Sequence, residues 1–264
     1  GGGTATVTVT NSVIEGNLCF SRVDNMYSGC GLYLNSCALA TVADCLFATN
    51  GCAFFAPGSE RAGNMWGSAI YANATRLVCR NSRFVANCSG SSGDNGGGGT
   101  VRLAGNAGGS EFVNCTFAGN QGTTAWGGGA GGNQGGALSI GLNSKTAEVL
   151  VRNCTFAHNV SSCRFSPGGL NVVTGTARVY DCIFWGNVNG YVDTDVRIYV
   201  DGEGAPDDLD VKANGIAVVT NAIFASSSSR RTPSSFWISL LISRSTAMHP
   251  VGVPPSSLIG TKRI

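Results

Sequence analysis

A four-residue motif, Phe-x-x-Asn, recurs along this chain and restricts its fold more than any other feature. Residues at the Phe position follow one another at intervals of 33, 37, 33, 39, 28 and 40 residues. The motif is imperfect in the first and last copies, which have Ile14 and Phe224 at this position. Self-similarity at such a period is typical of solenoids and other repeat architectures. Five copies keep both residues: Phe47 with Asn50, Phe84 with Asn87, Phe117 with Asn120, Phe156 with Asn159, and Phe184 with Asn187.

The best preserved unit, residues 135–159, indicates what one repeat forms. After Gly135 and Gly136, apolar and polar residues alternate with period two over 137–140 and again over 149–151, which predicts short strands separated by turns. A unit this short cannot bury its apolar face alone, so successive units must stack on one another. We therefore predict an all-β fold, a right-handed, single-stranded parallel β-helix of about six to seven coils with lateral loops.

Stacked repeats place equivalent residues in columns. Asn and Asp tolerate left-handed backbone, so we expect a polar ladder where each coil bends before the Phe motif. Small cysteines next to it and the phenylalanines beyond it are predicted to point into the core. The predicted columns are Asp44, Asn114, Asn153 and Asp181 at the bend; Cys45, Cys115, Cys154 and Cys182 beside it; and Phe47, Phe84, Phe117, Phe156 and Phe184 as an interior aromatic stack.

These motifs resemble the repeats of chlamydial polymorphic outer-membrane proteins and related autotransporter passengers. In those repeats a Gly-Gly-Ala-(Ile/Leu) motif alternates with Phe-x-x-Asn, and residues 135–138 keep the glycine motif intact. The resemblance covers roughly residues 1–225. It implies a right-handed β-helix, exposed at the cell surface or outside the cell, that binds host or neighbouring-cell molecules such as carbohydrates or surface proteins.

Composition divides the chain into a body and a tail. Residues 1–225 are predicted to form the β-helix, whereas residues 226–264, rich in Ser, Pro and Arg, are predicted to be disordered or to form a partial cap. Charged residues make up only 12% of the chain and the net charge is +2, so no basic face for nucleic acid is expected. The apolar run at 236–242 is too short to span a membrane.

The eleven cysteines bear on compartment and metal binding. Seven lie outside the repeat motif, mostly in predicted turns, where disulfides are plausible in an oxidising compartment. No Cys-x-x-Cys is present, which argues against a zinc site. The seven are Cys19, Cys30, Cys37, Cys52, Cys79, Cys88 and Cys163.

Two sets of residues are candidates for ligand binding. Outward positions of the first strand in each repeat predict an exposed row, and its aromatic and Arg members suit stacking against sugar rings. Trp66 and Trp126 occupy matching places just before the glycines and could add to this surface or could cap the open edge of the core. The remaining alternative is that the row consists of ordinary exposed sheet positions. The row is Tyr33, Tyr71, Arg102, Ser139, Asn171 and Arg197.

A pectate-lyase-like or other polysaccharide-degrading enzyme is the rival interpretation. Glycoside hydrolysis needs paired carboxylates, and lyase chemistry needs a base with acidic residues for a metal. The predicted outward row contains no acid, and His158 lies inside a Phe-x-x-Asn turn while His249 lies in the tail. The sequence therefore favours a non-enzymatic binding protein.

Two weaker signals concern calcium and glycans. Seven of the fifteen acidic residues fall within 193–210, so Asp207, Asp208 and Asp210 are a weak candidate for calcium binding, and a solvated acidic loop is the preferred explanation of the cluster. Asn-x-Ser/Thr sequons occur at five positions and matter only for a eukaryotic source. Asn114 and Asn153 are expected to be enclosed, whereas Asn73 and Asn87 are expected to be accessible.

Insertions between the closing asparagine and the next glycine pair vary most in length. Because each occupies the same place in its coil, all are predicted to project from one side of the rod as lateral loops. These segments are 18–29, 51–66, 88–96, 121–134 and 160–167.

Overall fold

The alternating segments form short parallel strands that stack coil upon coil into a β-solenoid. The computed structural model describes residues 3–19, 27–52, 65–91, 98–124, 136–161, 167–189, 205–206, 208–225 and 239–240. Within these residues all regular structure is β-strand, and four stacks of strands form the sides of the coil. The all-β, stacked parallel architecture predicted from the repeat is confirmed.

The first two stacks belong to one sheet, because two long strands run through both of them. The first stack contains Leu32–Asn35, Ile70–Asn73, Val101–Gly105, Leu138–Leu142 and the beginnings of Leu170–Tyr180 and Leu209–Thr220. The second contains Thr6–Thr10, Leu39–Ala43, Arg76–Arg80, Ser110–Val113, Glu148–Arg152 and the ends of the same two long strands.

The third stack carries the Phe motif. It contains Val13–Glu15, Leu46–Ala48, Arg83–Val85, Thr116–Ala118, Thr155–Ala157, Ile183–Trp185 and Ile223–Ala225. Ser239–Leu240 pairs antiparallel with the last of these strands. These two residues belong to the tail, which was predicted to be disordered or to form a partial cap. The rest of the tail lies outside the described residues.

A fourth stack follows the closing asparagines. It contains Leu18–Cys19, Gly51–Cys52, Cys88–Ser91, Gln121–Thr124, Val160–Ser161 and Val188–Asn189, with Ala205–Pro206 antiparallel at its end. Tyr27–Ser28 pairs with Met65–Trp66 as a separate small sheet. The prediction that lateral loops begin directly after the asparagine was therefore wrong, because the backbone there first completes a fourth side of the coil.

The predicted columns are present in the core. The phenylalanines of the motif are fully buried, and their rings stack at centroid distances of 4.7 to 5.2 Å from Phe47 to Phe224. Cys45, Cys115, Cys154 and Cys182 are buried beside them, as predicted. Cys79 was expected near a turn but is also fully buried, since it alternates with Leu77 on the inward face of its strand.

The bend before the Phe motif has the left-handed backbone that was predicted. Asp44, Asn114, Asn153 and Asp181 have φ between 51° and 55°. Their side chains lie at the surface and form part of a ladder, in which Asn81 donates to Asp44 at 3.1 Å and accepts from Asn114 at 3.2 Å. Column positions and backbone conformation thus follow directly from the repeat.

A second polar column lies inside the solenoid and consists of the closing asparagines of the motif. Asn50, Asn87, Asn120, Asn159 and Asn187 are fully buried. Each Nδ2 donates to a Phe or Ile carbonyl of the preceding coil and to the Oδ1 of the next column member, as in Asn120, which donates to Phe84 at 2.9 Å and to Asn159 at 2.8 Å. We refer to this column, from Asn17 to Asn187, as the asparagine ladder.

The structure reverses the expectation for three of the sequon asparagines, whereas Asn73, which was expected to be accessible, is partly exposed. Asn87 was expected to be accessible but is enclosed in the ladder, as is Asn159. Asn114 and Asn153 were expected to be enclosed but are exposed at the outer bend. One asparagine column lies just before the strand that carries Phe and the other just after it. Only the second, the asparagine ladder, is too buried to carry a glycan.

The glycine pair and the Phe-x-x-Asn motif, far apart in each repeat, meet in space. A Cβ on Gly168 would lie 2.1 Å from the Asn159 carbonyl oxygen and 2.7 Å from that of Val188. No other residue could pass this close to the backbone at the ladder. The two motifs therefore recur together because one makes room for the other.

The residue before each ladder asparagine also has left-handed backbone, which predicts opposite effects of two substitutions. Gly119 has φ of 62° and a Cβ placed on it would meet nothing within 4 Å, whereas Ala86 occupies the equivalent place with φ of 51°. We expect Gly119→Ala to lower the free energy of unfolding, and Ala86→Gly to raise it, each by about 0.5 to 1 kcal/mol in urea titrations. Ala118→Gly, within a strand, serves as control and should be destabilising. Shifts of the same sign at positions 86 and 119 would contradict this account of the corner.

Candidate functional site

The outward face of the first stack gathers polar and aromatic side chains into one row. Strand alternation points every second residue outward, and the in-register parallel pairing aligns these residues coil by coil. The row predicted from the sequence continues with Asp210 and not with Arg197, which lies outside the described residues. In order along the solenoid, the row is Tyr33, Tyr71, Arg102, Ser139, Asn171 and Asp210.

Aromatic residues form one end of this row. The rings of Tyr33 and Tyr71 stack with centroids 5.5 Å apart and an interplanar angle of 23°. The indole of Trp66 lies 5.9 Å from the Tyr71 ring at a tilt of 32°. Trp66 thus joins the predicted row, whereas Trp126 lies outside the described residues. We call Tyr33, Tyr71 and Trp66 the aromatic platform.

The platform is less exposed than the sequence suggested. Tyr33 is 53% exposed, but Tyr71 is only 6% exposed, with the rings of both Trp66 and Tyr33 packed against it. Burial raises the pKa of the Tyr71 phenol, so it stays protonated at neutral pH. The prediction of an exposed row was therefore wrong for Tyr71, which supports the platform from below while Tyr33 presents its surface.

The middle of the row is polar and largely enclosed. One guanidinium nitrogen of Arg102 donates to the Ser139 hydroxyl at 2.6 Å, and the side chain reaches as far as Gly141, where a Cβ would lie 2.6 Å from another guanidinium nitrogen. Desolvation lowers the pKa of Arg102 to about 10, which leaves it positively charged at neutral pH. Ser139 and Asn171 are fully buried. The expectation that these two residues are exposed was also wrong.

The acidic end of the row does not gather the residues proposed for calcium. Asp208 accepts a hydrogen bond from the Asn187 amide at 2.8 Å and so closes the asparagine ladder, while Asp210 forms an ion pair with Lys212. Asp207 lies outside the described residues. Among the residues that the structure places, no group of three or more His, Cys, Asp or Glu side chains could hold a metal ion. The calcium site stays a prediction from sequence.

Nothing in the described part of the row provides the pair of carboxylates that glycoside hydrolysis needs. Asp210 is the one acid among the row residues that the structure places, and it is bound to Lys212. His158 lies at the corner between the third and fourth stacks, with φ of 53°, on a different side of the coil. The row residues that the structure places are chiefly aromatic, hydroxyl and amide groups, which suit stacking and hydrogen bonding.

Charged residues on the neighbouring second stack pair mainly with one another. Glu111 accepts from Arg76 at 2.8 Å and from Arg80 at 3.1 Å, and Glu148 forms an ion pair with Arg178. Such exposed pairs between adjacent coils contribute little to stability and leave few charges for a ligand. This comparison makes the first stack the better candidate for binding.

The cysteines outside the repeat give one disulfide in the described residues. Cys19, at the end of a fourth-stack strand, is bonded to Cys30, just before the first-stack strand Leu32–Asn35. The bridge therefore links the end of a fourth-stack strand to the residues that lead into the first stack. Cys37 and Cys88 carry partly exposed thiols, while Cys163 lies outside the described residues.

Sequence reasoning missed two features of the site. It did not identify the burial of Asn171. Strand alternation predicts that the Asn171 side chain points away from the core, but it does not predict whether other residues cover that outer side of the sheet. It also did not include Trp66 in contact with Tyr71, although the aromatic residue before each glycine pair was visible as a signal. Lys212 as partner of Asp210 follows from their i, i+2 spacing in a strand, which places both on one face.

Comparison with known proteins gave no further guide. No family model, no curated protein and no solved structure matched the chain. Of the residues that the structure describes, none belongs to a helix long and apolar enough to cross a membrane.

Proposed function

We propose that this protein is a non-enzymatic, extracellular or cell-surface adhesion module, a right-handed parallel β-helix of about six to seven coils that binds carbohydrate on its first stack. The observation that carries the proposal is the aromatic platform, with the Tyr33 ring 53% exposed and stacked on Tyr71. Sugar rings bind to aromatic faces through their apolar C–H surfaces, and amphipathic rings such as Tyr and Trp favour such sites. A surface protein is the alternative class of partner.

The scaffold supports this role because it fixes the platform without help from the ligand. Tyr33 and Tyr71 are on paired strands in register, so backbone hydrogen bonds hold the rings at their stacking distance. A rigid surface loses little conformational entropy on binding. The resemblance to surface-displayed passengers agrees with this proposal.

The location outside the cytoplasm has one supporting observation. Cys19 and Cys30 form a disulfide, and disulfides persist mainly in oxidising compartments. The buried thiols of the core are shielded from oxidation, and the hydrogen bond to Cys115 together with burial raises the pKa of Cys79 well above its ordinary value. Burial keeps the core thiols away from oxidants in the solvent, so a thiol-rich core is compatible with secretion.

Tyr33→Ala is the direct test of the aromatic platform. We expect a carbohydrate found on a glycan array to bind about two- to tenfold more weakly in calorimetric titrations, since a stacked aromatic contributes about 0.5 to 1.5 kcal/mol beyond its buried area. Tyr180→Ala, a partly exposed tyrosine on the second stack, is the matched control and should bind as the unmodified protein does.

Two outcomes would overturn the proposed function. One is the absence of binding to any glycan on the array by the unmodified protein. The other is turnover: release of reducing ends or unsaturated sugars from pectin, alginate or chondroitin would instead support the polysaccharide-degrading alternative.

A further inference from the structure

Asn171 differs from the other buried asparagines of this solenoid. The members of the asparagine ladder from Asn50 to Asn187 use their amide groups in hydrogen bonds. Asn171 is equally buried, with no exposed surface, yet neither its Nδ2 nor its Oδ1 has a hydrogen-bond partner. A buried amide without partners destabilises the folded state, because the hydrogen bonds that it makes to water in the unfolded chain are lost and no protein hydrogen bonds replace them.

The neighbours of Asn171 in the row make this more specific. Ser139, one coil before, accepts a hydrogen bond from Arg102 at 2.6 Å, and Asp210, one coil after, is paired with Lys212. The polar side chains on both sides of Asn171 are therefore already engaged. An amide that stays unpaired between two satisfied neighbours is placed to bond a group from outside the protein.

We propose that Asn171 is a sugar-binding residue that recognises two adjacent hydroxyl groups of one pyranose ring. Its Oδ1 accepts a hydrogen bond from one hydroxyl and its Nδ2 donates to the oxygen of the next, which satisfies both halves of the amide. This inference rests on the proposed carbohydrate function and defines its ligand more closely. Asn171 is the polar end of a site whose aromatic end is Tyr33 and Tyr71.

The distance between the two ends sets the size of the ligand. From Tyr71 to Asn171 the register advances three coils, through Arg102 and Ser139. At about 4.8 Å for each coil this is about 14 Å along the solenoid axis. One sugar ring cannot reach across this distance, so the ligand is an oligosaccharide that lies parallel to the axis.

Arg102, which lies over the coil before Asn171, can move without a change of the backbone. Arg102 extends over Ser139 to Gly141, where the missing side chain makes room for the guanidinium. Arg side chains are long and reach several rotamers. In the proposed complex this side chain moves aside next to Asn171, and its guanidinium donates to further hydroxyl groups of the sugar.

Asn171→Leu separates a binding role from a structural one, because leucine has nearly the same shape but no polar atoms. We expect the melting temperature to rise by about 2 to 5 °C, as an unsatisfied buried amide is removed. We expect binding of a hexasaccharide to weaken at least about tenfold, since the hydroxyl groups lose their partner. The probes are the neutral hexasaccharides of cellulose, amylose, galactan and chitin, each compared with its monosaccharide. The matched control is Asn120→Leu in the asparagine ladder, which should lower the melting temperature.

Each result of this experiment decides between the two proposals. A lower melting temperature for Asn171→Leu, or a failure to fold, overturns the inference, because it shows that the amide has a structural partner such as an internal water. Unchanged hexasaccharide binding by Asn171→Leu, with weaker binding by Tyr33→Ala, overturns the inference but leaves the proposed function in place. If the unmodified protein binds none of the four hexasaccharides, the inference falls, whereas the proposed function falls only if no glycan on the array binds. Equal affinity for hexasaccharide and monosaccharide overturns the extended site.

Discussion

Replacing Asn120 with leucine is expected to destabilise the solenoid by about 4 kcal/mol, although leucine has nearly the volume of asparagine. The Asn120 Oδ1 accepts from the backbone N–H and the side-chain amide of Asn87, and its Nδ2 donates to Phe84 and Asn159. Leucine leaves those donors and the Phe84 carbonyl without partners in a site closed to water. Each unsatisfied buried group costs about 1 to 3 kcal/mol, so the losses together exceed any gain in apolar burial.

Equilibrium unfolding in urea measures this loss. The control is Asn114→Gly at the outer bend, where the side chain is exposed and its φ of 55° suits glycine. We expect that substitution to change the free energy of unfolding by less than about 1 kcal/mol. Comparable losses at positions 114 and 120 would mean that the inner ladder has no special role.

Phe117→Ala is expected to lower the free energy of unfolding by about 3 to 5 kcal/mol. The ring is fully buried, stacks at 4.7 Å on Phe84 and on Phe156, and makes a tilted contact with Phe112, so its removal leaves a cavity between two coils and ends three ring contacts. Solenoids transmit little strain beyond adjacent repeats, so collapse of the cavity will be incomplete.

The matched control for this change is Thr116→Ala. Thr116 precedes Phe117 in the same strand and points outward, where it is only half-buried. We expect its replacement to stay within about 0.5 kcal/mol of the unmodified protein. If Phe117→Ala unfolds at the same urea concentration as this control, the stacked column does not hold the coils together.

The core of this protein could be predicted from its sequence because every repeat carries the same types of residue at equivalent positions. Phe117 and Phe156 occupy equivalent places in units of different length, and the structure pairs them directly. Period-two alternation fixed which residues point inward, and Asn or Asp at each bend indicated left-handed backbone. Cys79 could have been assigned in the same way, because it alternates with Leu77 on the inward face.

The candidate site was harder to predict, since burial of an outward residue depends on segments that do not repeat. Tyr33 and Tyr71 are equivalent in the repeat and adjacent in the structure, yet one is exposed and the other is covered. The continuation of the row at Asp210 also depends on how the chain returns between residues 189 and 205, where no repeat motif sets the register. Asn87 shows the same limit, because a sequon gives no sign of whether its amide faces inward.

The asparagine ladder also has a direction, with a consequence for how the ladder can be extended. Every amide donates toward the next coil, from Asn17 to Asn187, and the series ends on the carboxylate of Asp208. An ionised carboxylate accepts hydrogen bonds but has no hydrogen to pass on. At the opposite end, Asn17 presents an amide oxygen, which is also an acceptor. A further coil with asparagine at this place would set its amide oxygen against the Asp208 carboxylate, acceptor against acceptor, so the series of amide hydrogen bonds stops at Asp208.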